Sequence, residues 1–577
     1  MTFDPIELQV INSRLTEITA TMENQLFHSG YSPILRESFD GSAAILDKSG
    51  GVVAGTGAPI HLFPYSYVAR SILRRWEGRM QPDDSFLIND PYTSGNFHVP
   101  DTAIVTPIFH SGNHVGFCAS IAHKPDLGGI VPGSSGASAR EIYHEGIRFP
   151  GMRYWSKQGP NEDVEELIRC NSRSPDDVIG DLRAQVGCTR IGSARLKELL
   201  DSYGVDVVED AFEALIRVSE RRIRDGLADW PDGEASAEAF LDNDGADLAH
   251  RIRMHIRIEK RGNEICFDYS GSDPNTVGPV NLRPQGAETA AAVALIGFLD
   301  PTIPINDGCR RAIRFVNPEG RITHAQYPRP VNNYYPSMHL LYCCAQKALA
   351  HFAPDKAVAP AGLGVGGSLI AYSKSRAGKL GVQYELMTPS LGGSPSGDGS
   401  FAVLPMMQIT PSQPIEILES EYPVEVIRFQ PLKDSAGPGR HRGGVGFVRA
   451  YRILEAANFS LRMGQFEHGS WGVVGGGAPN RACCILNPGT EREERLPPLA
   501  TRQLEAGDVI WLELAGGGGY GNPLERPPGL VATDVREGLV SAEAAREIYG
   551  VILDPSSGTP DIAATTRLRD TAPKAKI

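Results

Sequence analysis

Long apolar runs are missing from this sequence: no stretch of its 577 residues approaches the roughly 18 uninterrupted apolar residues that a membrane helix needs. The opening Met1-Thr2-Phe3-Asp4-Pro5 is neither basic nor followed by an apolar segment, so no signal peptide is read and a cytoplasmic location is expected. Positive charge is short as well. Lys and Arg total 56 against 69 Asp and Glu, a formal net charge of −13. The chain has no general basic field, which argues against nucleic acid or an anionic membrane as a partner. Cysteine is sparse, nine scattered residues, an odd number. That is no disulfide framework, and the neighbours Cys343-Cys344 and Cys483-Cys484 lack the CxxC spacing of a zinc or redox site, so they read as reduced packing thiols. Familiar catalytic signatures are absent too: no HExxH zinc helix, no GxSxG elbow, no strand-linked GxGxxG. Gly378-Lys379 is followed by Leu380 where a P-loop needs Ser or Thr, and it lacks the earlier Gly. If ATP is used, another chain must bind it.

What is present is an ordinary globular composition, 41% apolar and 22% charged, in a chain long enough for two to four packed units. Ile11, Leu15, Ile18, Met22 and Leu26 recur at three- and four-residue steps, which predicts an amphipathic helix over residues 5–27. From 42 to 118, short apolar runs bounded by Gly, Pro, Asn and Asp read as strands. Residues 162–227 return to helical spacing and read as two or three helices. Beyond the turn at Trp230-Pro231-Asp232-Gly233, Ile252, Met254, Ile256 and Ile258 alternate with charged residues as in a half-buried strand. Helices are expected at 287–299 and 338–351, then glycine-rich short strands to about 514 and one further helix near 542–549. The reading is a multi-domain α+β chain: an N-terminal α/β unit over 1–160, an inserted helical segment over 161–232, a β-rich α+β region over 233–526, and a loosely attached tail over 527–577.

Potential ligands are densest between Glu37 and His144, where Glu37, Asp40, Asp90, His98, Asp101, His123, Asp126 and His144 are mostly flanked by turn residues. His98 and Asp101, three apart, follow a strand that has just ended, and loops held by strands commonly present reactive groups. Imidazole and carboxylate together suit Zn, Mn or Fe, and a site with few protein ligands leaves a coordination position open for water. Water bound there has its pKa lowered towards about 7. Asp126 and His144 are candidates for orienting ligands or carrying protons. The glycine clusters 364–367, 392–397 and 516–521 read as tight turns between strands rather than anion cradles. Arg329-Pro330-Val331-Asn332-Asn333-Tyr334-Tyr335 offers a cation and amides that could meet a substrate, and is read as structural.

Several separated blocks agree, in order, with one family. The run Tyr31-Ser32-Pro33-Ile34-Leu35-Arg36-Glu37-Ser38-Phe39-Asp40, then Asn89-Asp90-Pro91-Tyr92 with His98 and Asp101, then Ala122-His123-Lys124-Pro125-Asp126-Leu127-Gly128-Gly129, resembles the hydantoinase B family. Glu141-Ile142-Tyr143-His144-Glu145-Gly146, Gly180-Asp181-Leu182-Arg183-Ala184-Gln185, Arg440-His441-Arg442-Gly443-Gly444 and Tyr520-Gly521-Asn522-Pro523 extend the resemblance to about residue 526. That family includes the B-type subunits of ATP-dependent hydantoinases, the matching half of 5-oxoprolinases, caprolactamase, and the related large subunits of acetone and acetophenone carboxylases.

The resemblance implies an A-type subunit that holds ATP-Mg and phosphorylates an amide oxygen, in a heterotetramer of two A-type and two B-type chains. It implies one divalent metal on this chain, Zn first and Mn, Fe or Mg as alternatives. Its ligands would be His98, Asp101 and His123, with Asp40 preferred as the fourth and Glu37 as the other choice. The implied reaction is hydrolysis of a hydantoin, 5-oxoproline or a lactam such as caprolactam by metal-bound water. A ketone carboxylase subunit and a non-catalytic scaffold for the ATPase are the alternatives. Lys124-Pro125 departs from relatives that carry a second His at that point.

Overall fold

The computed structural model describes residues 4–362, 366–372, 381–403 and 410–571, with 366–369 as backbone alone. Gly378-Lys379-Leu380 and the start of the first glycine cluster lie outside the described residues.

Helix α1 (Pro5–His28) starts where the Asp4 carboxylate caps the Ile6 N–H, and it buries Ile11, Leu15, Ile18, Met22 and Leu26 on one face. After α2 (Pro33–Arg36) come β1 (Gly41–Asp47), β2 (Val52–Gly57), α3 (Pro59–Leu62), α4 (Pro64–Trp76), β3 (Ser85–Ile88), β4 (Asp101–His110), β5 (Asn113–His123), β6 (Pro150–Ser156) and β7 (Gly159–Pro160). The strands form one antiparallel sheet in the order β2-β1-β5-β4-β3-β6-β7. The segment 161–232 holds α5 (Glu162–Asn171), α6 (Pro175–Tyr203) and α7 (Val205–Ala228). Ala43 and Ile45 of β1 point into a core shared with α1, α6 and α7, while Ala44 and Leu46 point into a core under α4. Both faces of the sheet are covered, so its central strands are apolar on alternate and intervening positions alike.

A second sheet, β11-β10-β9-β8, is built from β8 (Gly233–Leu241), β9 (Ile252–Arg261), β10 (Glu264–Asp268) and β11 (Ile313–Val316). Ile252, Met254, Ile256 and Ile258 of β9 pack against α8 (Pro284–Leu299) and α10 (Tyr334–Leu349), with the short α9 (Gly308–Arg311) between those helices in sequence. Helix α10 begins four residues before the predicted start, and this extra turn faces the cavity described below.

The remaining strands are β12 (Gly366–Tyr372), β13 (Gly381–Met387), β14 (Val424–Pro431), β15 (Phe447–Ile453), β16 (Ala457–Arg462), β17 (Cys483–Leu486), β18 (Glu494–Leu496), β19 (Leu499–Leu504) and β20 (Val509–Leu514), with α11 (Ile415–Glu421) beside them. They form two sheets, β13-β12-β16-β19 and β14-β15-β20-β17-β18, around one core that includes Ile370, Phe459, Leu461, Tyr451, Ile510 and Leu512. Ser394 to Gly397 is the tight turn expected, closed by the Ser394 N–H to Gly397 O at 2.9 Å, but Gly393 and the cluster 516–521 are not simple turns. Gly517 donates to Gly444 O, Gly393 to Gly518 O and Gly437 to Gly517 O, so extended segments lie side by side, backbone against backbone. A Cβ at Gly517 would stand 2.0 Å from the Leu391 carbonyl oxygen. Glycine is present because another main chain approaches too closely for any side chain.

The tail expected to be loosely attached is tied down. It carries α12 (Pro528–Arg536), α13 (Ala542–Glu547) and α14 (Ile562–Thr571). Asp534 of α12 receives the Arg442 Nε at 3.0 Å and the buried Arg526 Nε at 3.0 Å, and Arg526 also grips Asp398 at 2.7 Å. Composition could not report an attachment made by three ion pairs.

Candidate metal centre

Three adjacent strands bring the ligand candidates to one end of the first sheet. β4 and β5 form a hairpin whose two-residue turn, Ser111-Gly112, has positive φ at both positions (50° and 81°), matching the twist of the strands it joins. A bulge leaves Val115 unpaired between Phe109↔His114 and Ile108↔Gly116, and from there the register runs to Asp101 directly opposite His123. β1 lies on the other side of β5, and the His123 N–H donates to the Asp40 carbonyl at 3.1 Å. Phe39, just before Asp40, has φ of 52°, a strained conformation for a bulky residue, and it redirects the chain as it enters β1. His98 comes from the loop before β4.

His98 is held from behind. Its Nδ1 lies 3.1 Å from the Asn332 carbonyl oxygen, and the Asn332 N–H donates to the Glu145 carboxylate at 2.7 Å. The Asn332 side chain is fixed in turn, donating to Ser134 O and accepting from the Ser135 hydroxyl. With Nδ1–H spent on a carbonyl, Nε2 is the atom left to hold a proton or a metal. That atom sits 2.8 Å from Asp101 Oδ1 with no well-aligned hydrogen bond between them. A bare Nε2 there would set two lone pairs face to face, a conflict that a proton or a metal cation removes. His123 Nδ1 lies 3.1 Å from the same carboxylate oxygen. Ligand atoms of His98, Asp101 and His123 all fall within 4.8 Å of one another, so this group could hold a metal ion. Two imidazoles and a carboxylate fit a borderline divalent ion with positions left open.

Burial alone would raise the Asp101 carboxyl, but the charge of a protonated His98 and hydrogen bonds from His123 and His98 outweigh it and hold it well below the usual range. Burial, aided by the Asp101 charge, pushes Asp40 up to about 7, and burial drives His123 down to about 4. An uncharged imidazole is the form that binds a metal.

These residues line a tight cavity of about 30 Å³, room for a water or two beside an ion. Asn332, Asn333, Tyr334 and Tyr335 wall it from the start of α10, Tyr384 and Leu386 from β13, and Arg462 from the end of β16. The Tyr384 ring stacks on His123 at 4.7 Å, and Tyr334 meets His98 edge-on at 4.8 Å. Residues 332–335 of the segment read as structural, with amides that could meet a substrate, thus wall the cavity. Tyr384 and Arg462 carry no local signal, being single residues on ordinary strands.

The other candidates lie elsewhere. Glu37 pairs with Arg36 Nε at 2.8 Å and does not line the cavity. Asp126 accepts the N–H groups of Gly128, Gly133 and Arg173 and pairs with the Arg173 guanidinium at 3.1 Å, so it knots the loop after β5. His144 Nδ1 accepts the Arg140 N–H at 3.1 Å. Neither reaches the cavity. Lys124 is fully buried and donates to Ala122 O at 3.2 Å, its ammonium lowered to about 8 by burial against the opposing pull of Asp181, Asp101 and Asp40.

Comparison with known proteins agrees with the motif blocks. Residues 4–523 match the family model described as Hydantoinase B/oxoprolinase. The chain is 32% identical to the B-type subunit of a putative D-/L-hydantoinase from Pseudomonas sp. (strain NS671), over 98% of both chains. It is 30% identical to the beta subunit of caprolactamase from Pseudomonas jessenii, again over 98% of both. The crystal structure of ATP-dependent caprolactamase from Pseudomonas jessenii superimposes with a TM-score of 0.91 at 29% identity, covering 99% of this chain and 100% of that one. With its sequence matched nearly end to end and its fold shared, the chain belongs to the hydantoinase B/oxoprolinase family.

Proposed function

We propose that this chain is the metal-carrying subunit of an ATP-dependent hydrolase that opens a small cyclic amide, working with an A-type ATPase subunit. The observation that carries the proposal is the buried meeting of His98 Nε2 and Asp101 Oδ1 at 2.8 Å without a hydrogen bond, beside a closed cavity with room for water. His98, Asp101 and His123 would bind the ion, and Asp40 would complete the set. A divalent ion held there supplies Lewis acidity and a nucleophilic water near neutral pH. Asn332 fixes the His98 tautomer through Nδ1, and Glu145 fixes Asn332. Tyr334, Tyr335 and Tyr384 exclude bulk water from the ligand cluster.

The division of labour follows from amide chemistry. Resonance makes an amide carbonyl a poor electrophile, and phosphorylation of its oxygen by the partner removes that protection. Relatives named as one subunit of a hydantoinase and one subunit of a caprolactamase support a second chain.

The test is to co-express the chain with its A-type partner and follow ADP release and ring opening across hydantoins, 5-oxoproline and lactams. Ring opening that needs ATP, both chains and a divalent metal is expected. Turnover by this chain alone without ATP would overturn the mechanism, and bicarbonate-dependent turnover of ketones would assign carboxylation instead.

A further inference from the structure

The cavity holds a second set of polar atoms that the ligand cluster leaves unused. Asn333 Nδ2, the Tyr335 hydroxyl and Arg462 Nε are buried and have no hydrogen-bond partner among the described residues, and all three residues line the cavity. Asn333 is 4% exposed, Tyr335 9% and Arg462 5%. An unpaired buried polar atom costs roughly 1–3 kcal/mol, more when charged. Three such atoms around one cavity are kept for something that enters it.

Their chemistry is one-sided, since each can donate a hydrogen bond and the guanidinium can only donate. Arg449 is a useful contrast: its buried guanidinium meets Glu385 at 2.8 Å. Arg462 meets no carboxylate among the described residues; its guanidinium hydrogen-bonds the Tyr384 side chain, whose ring lies 5.5 Å away, and Nε is left over. A buried cation without an anion is expensive, and a planar guanidinium matches the paired oxygens of a phosphoryl or carboxylate group.

We propose that Arg462, Asn333 and Tyr335 form an oxyanion subsite that takes the charged group of a cyclic amide, either a phosphoryl on its activated oxygen or a carboxylate on its ring. The amide itself rests on the function proposed above. The subsite adds selectivity, because a neutral, unactivated ring leaves all three donors unpaired and is rejected. Hydrolysis is thereby confined to substrate that carries the right charge.

The experiment titrates the purified, zinc-loaded chain by calorimetry with inorganic phosphate, with 5-oxoproline, and with 2-pyrrolidinone, which has the ring and neither anion. Arg462→Met is expected to weaken phosphate binding at least tenfold, with Asn333→Ala also weaker and Arg462→Lys intermediate, while zinc affinity and melting temperature stay at wild type. Loss confined to 5-oxoproline assigns the subsite to a ring carboxylate. Phosphate and 5-oxoproline binding indifferent to all three substitutions overturns the subsite, as expected of anions that bind the zinc alone. If Arg462→Met does not fold, Arg462→Lys and Asn333→Ala carry the comparison. In the co-expressed complex, failure of wild type to open any ring sinks the hydrolase reading and leaves the titration standing.

Discussion

Asp40 and Glu37 stand three residues apart in one motif block, and the backbone between them decides which reaches the cavity. The positive φ at Phe39 turns the Asp40 carboxyl inward, while Glu37 stays with Arg36. Asp40→Asn should weaken zinc binding by more than the roughly 10- to 100-fold that loss of an outer partner costs, whereas Glu37→Gln should leave it within twofold. Competition against a chelator measures both, and equal effects would remove Asp40 from the ligand set. A second residue offers a pH signature. Burial lifts the Glu145 carboxyl from its ordinary 4.5 to about 8, so the native state holds a proton that the unfolded chain gives up. That stabilisation is fully present below about pH 4.5 and is lost as pH rises through 8. Glu145→Gln, always neutral and still able to accept from Val331 and Asn332, should melt above wild type at pH 8.5 and match it at pH 5. Parallel melting curves at both pH values would mean the acid is already charged. His98, Asp101 and His123 were legible as part of a dense group of eight candidates, from which the resemblance to the family singled them out. Arg462 was not, since it joins His123 only through the packing of two separate sheets.

Among the elements, the β4–β5 hairpin shows how little of the site depends on the ligands' own neighbours. Side chains alternate along a strand, so register has parity. Were Val115 to pair with Ile108 instead of bulging, Asp101 would pair with Ala122, and His123 would point to the opposite face. Deleting Val115 removes the bulge and keeps Asp101 opposite His123, so stoichiometric zinc, read by elemental mass spectrometry, is expected to survive with far-ultraviolet circular dichroism retained. Loss of zinc in that variant would show that the bulge itself sets the ligand geometry. Helices were the readable part of the sequence, as the Ile11-to-Leu26 stripe illustrates, because burial writes itself at a fixed period. The glycine cluster 516–521 was misread because a turn and a close main-chain approach ask for the same residue, while 394–397 is the turn expected. Gly517→Ala should destabilise by ~3 kcal/mol or more in urea unfolding, since its Cβ meets a carbonyl rather than a yielding side chain. A shift under 1 kcal/mol would mean the layer can part.

For the whole molecule, the C-terminal tail matters through one carboxylate. Asp534→Ala strips a partner from the buried Arg526 and from Arg442, an uncompensated loss of about 3–5 kcal/mol, at the lower end while Asp398 still holds Arg526. Differential scanning calorimetry should find the tail's transition moved down, and an unchanged profile would return the tail to the loose attachment its composition suggests. The cavity itself is assembled from residues far apart in the chain. All the proposed metal ligands lie at or before residue 123, and the subsite donors run from 333 to 462. At a ribosomal pace of about 5–20 residues per second, the last donor emerges roughly 20 to 70 seconds after His123. The strands that carry the proposed ligands are therefore complete long before Asn332, which holds His98, and before the walls of the cavity. A metal site on these residues would be finished only when the second half of the chain arrives, so early capture of an ion would meet an unbraced His98.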